Sequence, residues 1–505
     1  MTSPVTRRTT IQKVSTIQDS YYARWRVQCG VAMVLHEDHD SPPERLLQAI
    51  WRHQRLLRDQ LKTLDGQTLR VLHPGFHNLE GGPDFRQAVI QFEDAPARQG
   101  DIEVDLRSNG WRAHGHDCNP AFRNVVLHVV WESEHPATGA PPLLRLREFL
   151  DAPLGELSQW LGSDSARAFP QETRGRCSAS LGRLSTERLV DLLHQAAYVR
   201  LRSKAEWFQA RARQVGWEQC LWEGLFRALG YKHNSWPMQR LGELRPRWLV
   251  PGAQPQPLQA RLLGLSGLLP SELTRKKAGA DHYLRAVWDQ WWRERDEFSD
   301  VILPRAVWRL HGLRPANHPQ RRLALAAGWS ATGALPVRLE NWCAKDLTAN
   351  QMCGALLEAL QVAPDEFWSW HWTLRSARLK HKQPLLGATR VADFAMNVVI
   401  PWLWIRSVEG KNREVQTRLE QRYFEWPAAE DNSVLKLARE RLLGGKAARD
   451  LPGAAAQQGL IQIVRDFCDH SNSVCEKCKL PDLMREERRR PRLLLVDKSQ
   501  TDFVL

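Results

Sequence analysis

One short stretch of the chain, GPDFRQAVIQFEDAPARQGDIEVDL (82–106), holds six acidic side chains, and four of them lie in strand-like runs. Asp84 begins one strand-like run, and Asp101, Glu103 and Asp105 alternate with apolar residues in the next. Because paired strands lie only about 4.8 Å apart, carboxylates on neighbouring strands can share one divalent cation. Mg²⁺ or Mn²⁺ held in this way would activate water for phosphodiester hydrolysis. The alternative interpretation is a solvated face of a sheet.

Two histidines follow the acidic strand directly, in WRAHGHD (111–117). Imidazole nitrogens are common metal ligands, so His114 and His116 are candidates to join the acidic residues. The alternative is a polar loop that caps the sheet and makes ordinary hydrogen bonds. His128 lies inside an apolar strand, and we expect it to be a hydrogen-bonded core histidine.

A helix is expected to precede the sheet, beginning in SPPERLLQAIWRHQRLLRDQLKTLDG. Ser41 is the expected cap, and prolines and an acidic residue in the first turn are typical of a helix start. Apolar residues then recur at helical spacing, at Leu46, Leu47, Ile50, Leu57 and Leu61. The turn at Asp65-Gly66 is expected to end the helix.

Four strands are predicted after this helix, from TLRVLH, DFRQAVIQF, GDIEVDLR and NVVLHVVWE. In the third, the alternation would place Ile102, Val104 and Leu106 on one face and Asp101, Glu103, Asp105 and Arg107 on the other. The fourth is apolar on both faces, as expected of a central strand. Residues 41–150 are therefore predicted to form an α/β (α+β) domain with a mixed sheet.

This arrangement resembles the PD-(D/E)xK, or restriction-endonuclease-like, nucleases. Pro83-Asp84 matches the PD step, Glu103-Val104-Asp105 lies at the place of (D/E)xK, and Glu44 resembles the acid that many members carry on the preceding helix. The resemblance implies a nuclease acting on DNA or RNA. It also implies metal ligands at Asp84, Glu103 and Glu44, to which we add His116.

Asp105 departs from this pattern, because the superfamily has lysine at that place. Arg107 or His114 would have to act in place of the lysine, so the expected catalytic residues are Asp84, Glu103, Asp105, Arg107 and His114. Without such a substitute, the chain would be a non-catalytic nucleic-acid-binding or scaffold protein with a degenerate nuclease fold.

Several sequence blocks also resemble an uncharacterised bacterial family, a domain of unknown function. They are PGFHNLEGGPDF, GDIEVDLRSNGWRAHGHD, NVVLHVVWE, LRPANHPQRRLA and QQGLIQIVRDFC, in this order over roughly residues 41–480. That family commonly has histidine at position 105, so Asp105 departs from its pattern too.

The remainder of the chain is predicted to be mostly helical. The predicted divisions are a poorly ordered lead-in (1–40), the α/β domain (41–150), a linker (151–184), a helical domain (185–460), a cysteine-bearing segment (461–484) and a basic tail (485–505). In the cysteine-bearing segment, Cys468, His470, Cys475 and Cys478 supply four ligands of the kind that structural zinc prefers. An iron–sulfur cluster would need a fourth cysteine from elsewhere, and ordinary reduced thiols are the remaining alternative.

The net charge of +14 and the pI near 9.6 favour an anionic partner, nucleic acid first. In LRPANHPQRRLA, Arg314, Asn317, Arg321 and Arg322 are candidates to bind phosphates. A protein–protein adaptor would instead bind no nucleic acid. No export signal follows the basic start, and the longest apolar stretch, VVIPWLWI (398–405), is too short to span a membrane. We therefore expect a cytoplasmic protein without a membrane partner.

Overall fold

A computed structural model gives the structure of the chain. It describes residues 20–29, 31, 42–78, 82–133, 135, 139–160, 175–231, 233–273, 282–430, 433–444, 451–468, 475 and 478–489. The described residues form a mixed sheet surrounded and followed by many helices, which confirms the α+β class.

The sheet is mixed in strand direction. Its strands are β1 Leu69–His73, β2 Phe76–His77, β3 Phe85–Phe92, β4 Arg98–Asp105, β5 Val125–Val130 and β6 Leu143–Arg145. Their order is β1-β3-β4-β5-β6, with β2 paired to β3; the pairs up to β4 are antiparallel, and β4, β5 and β6 are parallel. The four predicted strands are confirmed, and β5 is buried along its whole length as expected. The short strands β2 and β6 were not predicted.

A bulge in β3 sets the register next to the acidic residues. Phe85 pairs with Ile102, but the register shifts before Ala88 pairs with Gly100. Gln87, at the shift, has a positive φ of 58°, and its amide donates to Asp101 Oδ1 at 3.0 Å. An extra residue of this kind bends the bulged strand locally. The start of β3 consequently lies beside the middle of β4.

The helix before the sheet is shorter than predicted. It runs from Glu44 to His53 with Pro43 as its cap, and Gln54 adopts a left-handed conformation that ends it. Leu61 is buried in the irregular segment that follows and not on a helix, so its helical spacing was misleading. Ser41, the expected cap, lies outside the described residues.

Helices make up most of the chain beyond the sheet. In chain order they are α1 Tyr21–Gln28, α2 Glu44–His53, α3 Gly110–Ala113, α4 Leu154–Trp160, α5 Cys177–Gly182, α6 Thr186–Val215, α7 Trp217–Leu229, α8 Ser235–Glu243, α9 Arg245–Trp248, α10 Pro255–Leu265, α11 His282–Glu294, α12 Pro319–Thr332, α13 Leu335–Ala344, α14 Ala349–Leu360, α15 Val391–Phe394, α16 Ile400–Glu409, α17 Arg413–Glu425, α18 Ser433–Leu443, α19 Gly453–Ile463 and α20 Leu480–Arg489. Two π-helical segments, Ala395–Val399 and Val464–Cys468, precede α16 and follow α19. The predicted linker, residues 151–184, carries α4 and α5.

One helical run within the described residues, Ala388–Glu409, is long and apolar enough to cross a membrane by length and composition. However, 72% of its most apolar stretch is buried inside the protein. It therefore packs as a core helix. Most of the largest fully buried side chains among the described residues are tryptophans.

Candidate metal centre

Asp84 and Glu103 lie side by side where β3 begins. The backbone amide of Asp84 donates to Glu103 Oε2 at 3.1 Å, and the amide of Val104 donates to Asp84 Oδ2 at 3.1 Å. Each carboxylate is thus held by the neighbouring strand. The predicted convergence of these two side chains across paired strands is present in the fold.

Asp105 joins them at the end of β4, where it is only 3% exposed. Its Oδ2 lies 2.9 Å from His128 Nε2, and its Oδ1 lies 3.3 Å from His114 Nδ1. The parallel register of β4 and β5 explains the contact between Asp105 and His128. His128 lies opposite Glu103, and Asp105 lies two residues further along the same face of β4. A Cβ on Gly110 would come within 2.8 Å of the Asp105 carboxylate, so a larger residue there would displace this side chain.

His116 is fixed in place by aromatic rings. It is buried, it stacks on Phe122 with ring centroids 4.0 Å apart, and Trp111 meets it edge-on at 5.5 Å. Its Nδ1 lies 3.6 Å from Glu103 Oε1 but forms no hydrogen bond with any described residue. A buried ring nitrogen without a hydrogen bond is costly unless another partner takes that place.

Three of these residues have the geometry of a metal site. One ligand atom from each of Asp105, His114 and His116 lies within 4.8 Å of the other two. His114 is exposed, whereas the other two are buried, so the site opens towards solvent on the His114 side. A carboxylate with two imidazoles suits transition metals such as Mn²⁺ or Zn²⁺ better than Mg²⁺, which prefers oxygen ligands.

Burial first, and then the charges of neighbouring carboxylates, raise the pKa values of the acidic residues. Burial, followed by the charge of Glu44, raises the pKa of Asp84 to about 7, and burial together with Asp84 raises that of Glu103 to about 9. Burial and the charge of Asp105 raise the pKa of Glu44, and burial lowers the pKa of His116. Each of these shifts favours the neutral form of its group.

Glu44 reaches the group from α2 through Gln48. The Gln48 amide nitrogen donates to Glu44 Oε1 at 3.2 Å and to Asp84 Oδ1 at 2.9 Å. Glu44 thus lies at the exposed rim, where the predicted helix acid was expected.

Residues 44–433 match the model of a family described as a protein of unknown function (DUF2851). This match covers more than half of the 505 residues. The chain belongs to the DUF2851 family. No curated protein and no solved structure matches it. All the residues of the acidic and histidine group lie inside the matched range, whereas the block QQGLIQIVRDFC and the cysteine-bearing segment lie beyond its end.

Arg107 of this DUF2851 chain does not lie on the acidic face of β4, contrary to the prediction. The strand ends at Asp105, and both Leu106 and Arg107 are exposed in the bend that follows. The acidic face is also not solvated, because Glu103 and Asp105 are buried. No described lysine or arginine forms an ion pair with Asp84, Glu103 or Asp105; His114 and His116 are the ion-pair partners nearest to the opening.

The DUF2851 chain uses two of the predicted phosphate-binding residues internally. Arg321 and Arg322 are buried, and their guanidinium groups donate to backbone carbonyls, including those of Pro384 and Leu385 at 2.9 and 3.0 Å. Asn317 accepts from Arg322 at 2.8 Å. These side chains hold the α12 region together and are not presented to a nucleic acid, because their donors are occupied within the core. Arg314 is exposed.

Sequence reasoning missed several residues that shape the site. Trp111 and Phe122 clamp His116, Gly110 makes room for Asp105, and Gln48 links two carboxylates. The position of Gln48, one helical turn after Glu44, was the signal that it would share the same face. The expectation that His128 is a hydrogen-bonded core residue is confirmed, with Asp105 as its partner.

Proposed function

We propose that this chain is a metal-dependent nuclease that cleaves phosphodiester bonds of DNA or RNA. One observation carries the proposal: half-buried Asp84 and buried Glu103 and Asp105 gather with His114 and His116 at one opening beside the sheet. The order of the helix acid, the PD step and the E-x-D strand supports a PD-(D/E)xK-like core.

The donor set fits a divalent cation. Asp105, His114 and His116 would be its ligands, with Asp84 and Glu103 on its other side and Glu44 at the rim. Two observations support a cation bound among these groups. The His116 nitrogen lacks a hydrogen bond, and the pKa values of Asp84 and Glu103 are raised. When bound, such an ion polarises the phosphodiester and lowers the pKa of a bound water. Of Mg²⁺ and Mn²⁺, the two imidazoles favour Mn²⁺.

The protein residues around the ion have separate tasks. His128 holds the Asp105 carboxylate from behind through the 2.9 Å contact, so that Oδ1 faces the opening. His114 is the exposed member of the proposed ligand set, so solvent and substrate would reach the ion from its side. The net charge of +14 would draw a polyanion to a centre that is itself acidic.

The test is a cleavage assay with Mn²⁺ on single- and double-stranded DNA and RNA. We expect cleavage by the natural chain and a loss of at least about a hundredfold for Asp84→Asn, which keeps the size of the side chain but removes its charge. The matched control is Asp94→Asn, because Asp94 is an exposed acid in the turn between β3 and β4. Cleavage that survives Asp84→Asn would overturn the assignment.

The acidic residue at position 105 favours a second candidate, a nucleic-acid-binding protein that has no catalytic activity. The nuclease pattern needs lysine there, and Asp105 is instead paired with His128. This candidate predicts binding that weakens steeply with salt and no cleavage with any divalent ion. A nuclease would also bind in a salt-dependent way, so the cleavage assay separates the two candidates: salt-dependent binding of the same substrates without cleavage by any divalent ion would support the second.

A further inference from the structure

Four cysteines from distant parts of the sequence meet in one place. Cys177 begins α5, whereas Cys468, Cys475 and Cys478 belong to the C-terminal segment. Cys177 lies in an apolar cluster formed with α1, α6, α18, α19 and α20, and Cys468 and Cys478 pack against the same cluster. No disulfide joins any of the nine cysteines, all of which are among the described residues.

Arg441 connects three of these cysteines. Its guanidinium Nη2 donates to Cys475 Sγ at 3.5 Å, and its side chain also hydrogen-bonds Cys468. Its carbonyl accepts from the Gly175 amide at 2.8 Å. A Cβ on Gly175 would lie 2.9 Å from that carbonyl and 3.4 Å from Cys177 Sγ. Arg441 thus lies next to sulfurs of both α5 and the C-terminal segment.

The four cysteines share one largely buried neighbourhood. Cys177 and Cys475 are buried, Cys468 and Cys478 are partly buried, and Arg176, next to Cys177 in the chain, donates to the Cys475 carbonyl at 3.5 Å. Arg441 supplies a single positive charge to the group. Thiolates gathered in a buried place need a metal to balance them.

The spacing of the sulfurs distinguishes two kinds of metal centre. Tetrahedral Zn–S bonds of about 2.3 Å place the sulfurs of one zinc roughly 3.8 Å apart. Among the described residues, no three cysteine sulfurs lie within 4.8 Å of one another. In a [4Fe–4S] cluster each thiolate binds a different iron, so the four sulfurs stand further apart.

We propose that Cys177, Cys468, Cys475 and Cys478 form a four-thiolate site for an iron–sulfur cluster. The fourth ligand is Cys177, from about three hundred residues earlier in the chain, and not His470, which lies outside the described residues. The cluster would join α5 to the C-terminal segment, and Arg441 would balance part of its charge. This site is separate from the proposed nuclease centre and does not depend on it.

The test is metal and sulfide analysis of the full chain purified without oxygen. We expect about four iron atoms and four sulfides per chain and a visible charge-transfer absorbance. Cys177→Ser should lose more than half of the iron, whereas Cys118→Ser, which changes an exposed cysteine, should lose none. Circular dichroism of both variants establishes that the helices remain folded.

A second measurement keeps the assignment testable if Cys177→Ser lowers the yield of folded protein. Electron paramagnetic resonance of the reduced Cys475→Ser protein should show a changed signal if serine replaces one cluster ligand. Full iron content in Cys177→Ser would overturn the assignment, as would loss of iron from Cys29→Ser instead, since Cys29 lies near Cys478. One zinc per chain that disappears in Cys177→Ser would support the four-thiolate site and overturn the iron–sulfur cluster.

Discussion

At the scale of single residues, the acidic group is a site that the fold holds at an energetic cost. Asp84 and Glu103 are each fixed by a backbone amide of the neighbouring strand, yet burial and repulsion from neighbouring carboxylates raise the pKa values of both. Groups of this kind are common where a protein binds a cation, because the ion supplies the charge that stabilises their ionised forms. The protonation of these two residues is therefore the most direct reporter on the site.

Stability of the metal-free protein should fall as pH rises through the range of these two groups. Their pKa values in the folded protein, about 7 and about 9, exceed the ordinary 3.8 and 4.5, so the folded state binds more protons than the unfolded state in between. The stabilisation is complete at low pH and is lost as pH rises through about 7 and then about 9. We expect a loss of about 1–3 kcal/mol in the free energy of unfolding between roughly pH 6 and pH 9.

Thermal unfolding with and without Mn²⁺ measures this effect. Mn²⁺ should raise the unfolding temperature more at about pH 8 than at about pH 6, because the ligands must lose protons to bind it. Glu103→Gln should flatten the metal-free pH dependence and abolish the Mn²⁺ effect, and Asp94→Asn should change neither. An unchanged pH dependence in Glu103→Gln would show that Glu103 does not bind the excess proton.

At the scale of elements, helix α6 connects the three main cores of the molecule. Its residues Leu201 and Phe208 belong to the large helical core, Ala210 to the core under the sheet, and Leu193 to the core around the cysteines. Helix α19 crosses it at close range, because a Cβ on Gly459 would lie 2.1 Å from the Leu193 carbonyl oxygen. The two backbones can approach this closely only where a side chain is absent.

Gly459→Ala should therefore force α19 away from α6. We expect it to lower the free energy of unfolding by about 1–3 kcal/mol or more, as overpacking does in other cores. The control is Gly354→Ala in α14, where no atom lies within 4 Å of the added methyl group. That change should be neutral or stabilising by about 0.5–1 kcal/mol, since alanine is the better helix former. Urea unfolding followed by circular dichroism compares the two; equal effects would contradict the close crossing.

At the scale of the whole molecule, the sheet and the helices share cores across the predicted division. Leu72 and Val89 of the sheet pack into the large helical core. Arg58, buried between the two parts, donates to the Val71 carbonyl at 3.2 Å and to Glu243 Oε1 on α8 at 2.6 Å. The described parts of residues 41–150 and 185–460 are therefore packed together.

Arg58→Met should break this buried pair. Glu243 would keep Arg240 as an ion-pair partner at 3.1 Å, so we expect a loss smaller than the about 3–5 kcal/mol that follows when a buried charge loses its sole partner. The double variant Arg58→Met with Glu243→Gln should cost clearly less than the sum of the two single changes, because residues in direct contact are coupled. Urea unfolding of the four proteins gives the coupling energy, and strict additivity would mean that the contact contributes nothing across the two parts.

The sequence alone determined much of the sheet and the identity of the acidic residues. Strict alternation predicted β4, continuous apolar character predicted β5, and the order of Asp84 and Glu103 along the chain indicated that neighbouring strands would bring them together. These predictions hold because side-chain alternation and strand spacing are local properties of the backbone.

Only the tertiary structure decided where the strand ends, what surrounds the site and which distant residues meet. Arg107 lies beyond the strand because the chain turns after Asp105; Asn109-Gly110 marks a turn nearby but not the residue at which the strand ends. Arg321 and Arg322 are buried because carbonyls from a distant segment take up their donors. The meeting of Cys177 with Cys468, Cys475 and Cys478 arises from the packing of helices far apart in sequence, which spacing along the chain cannot reveal.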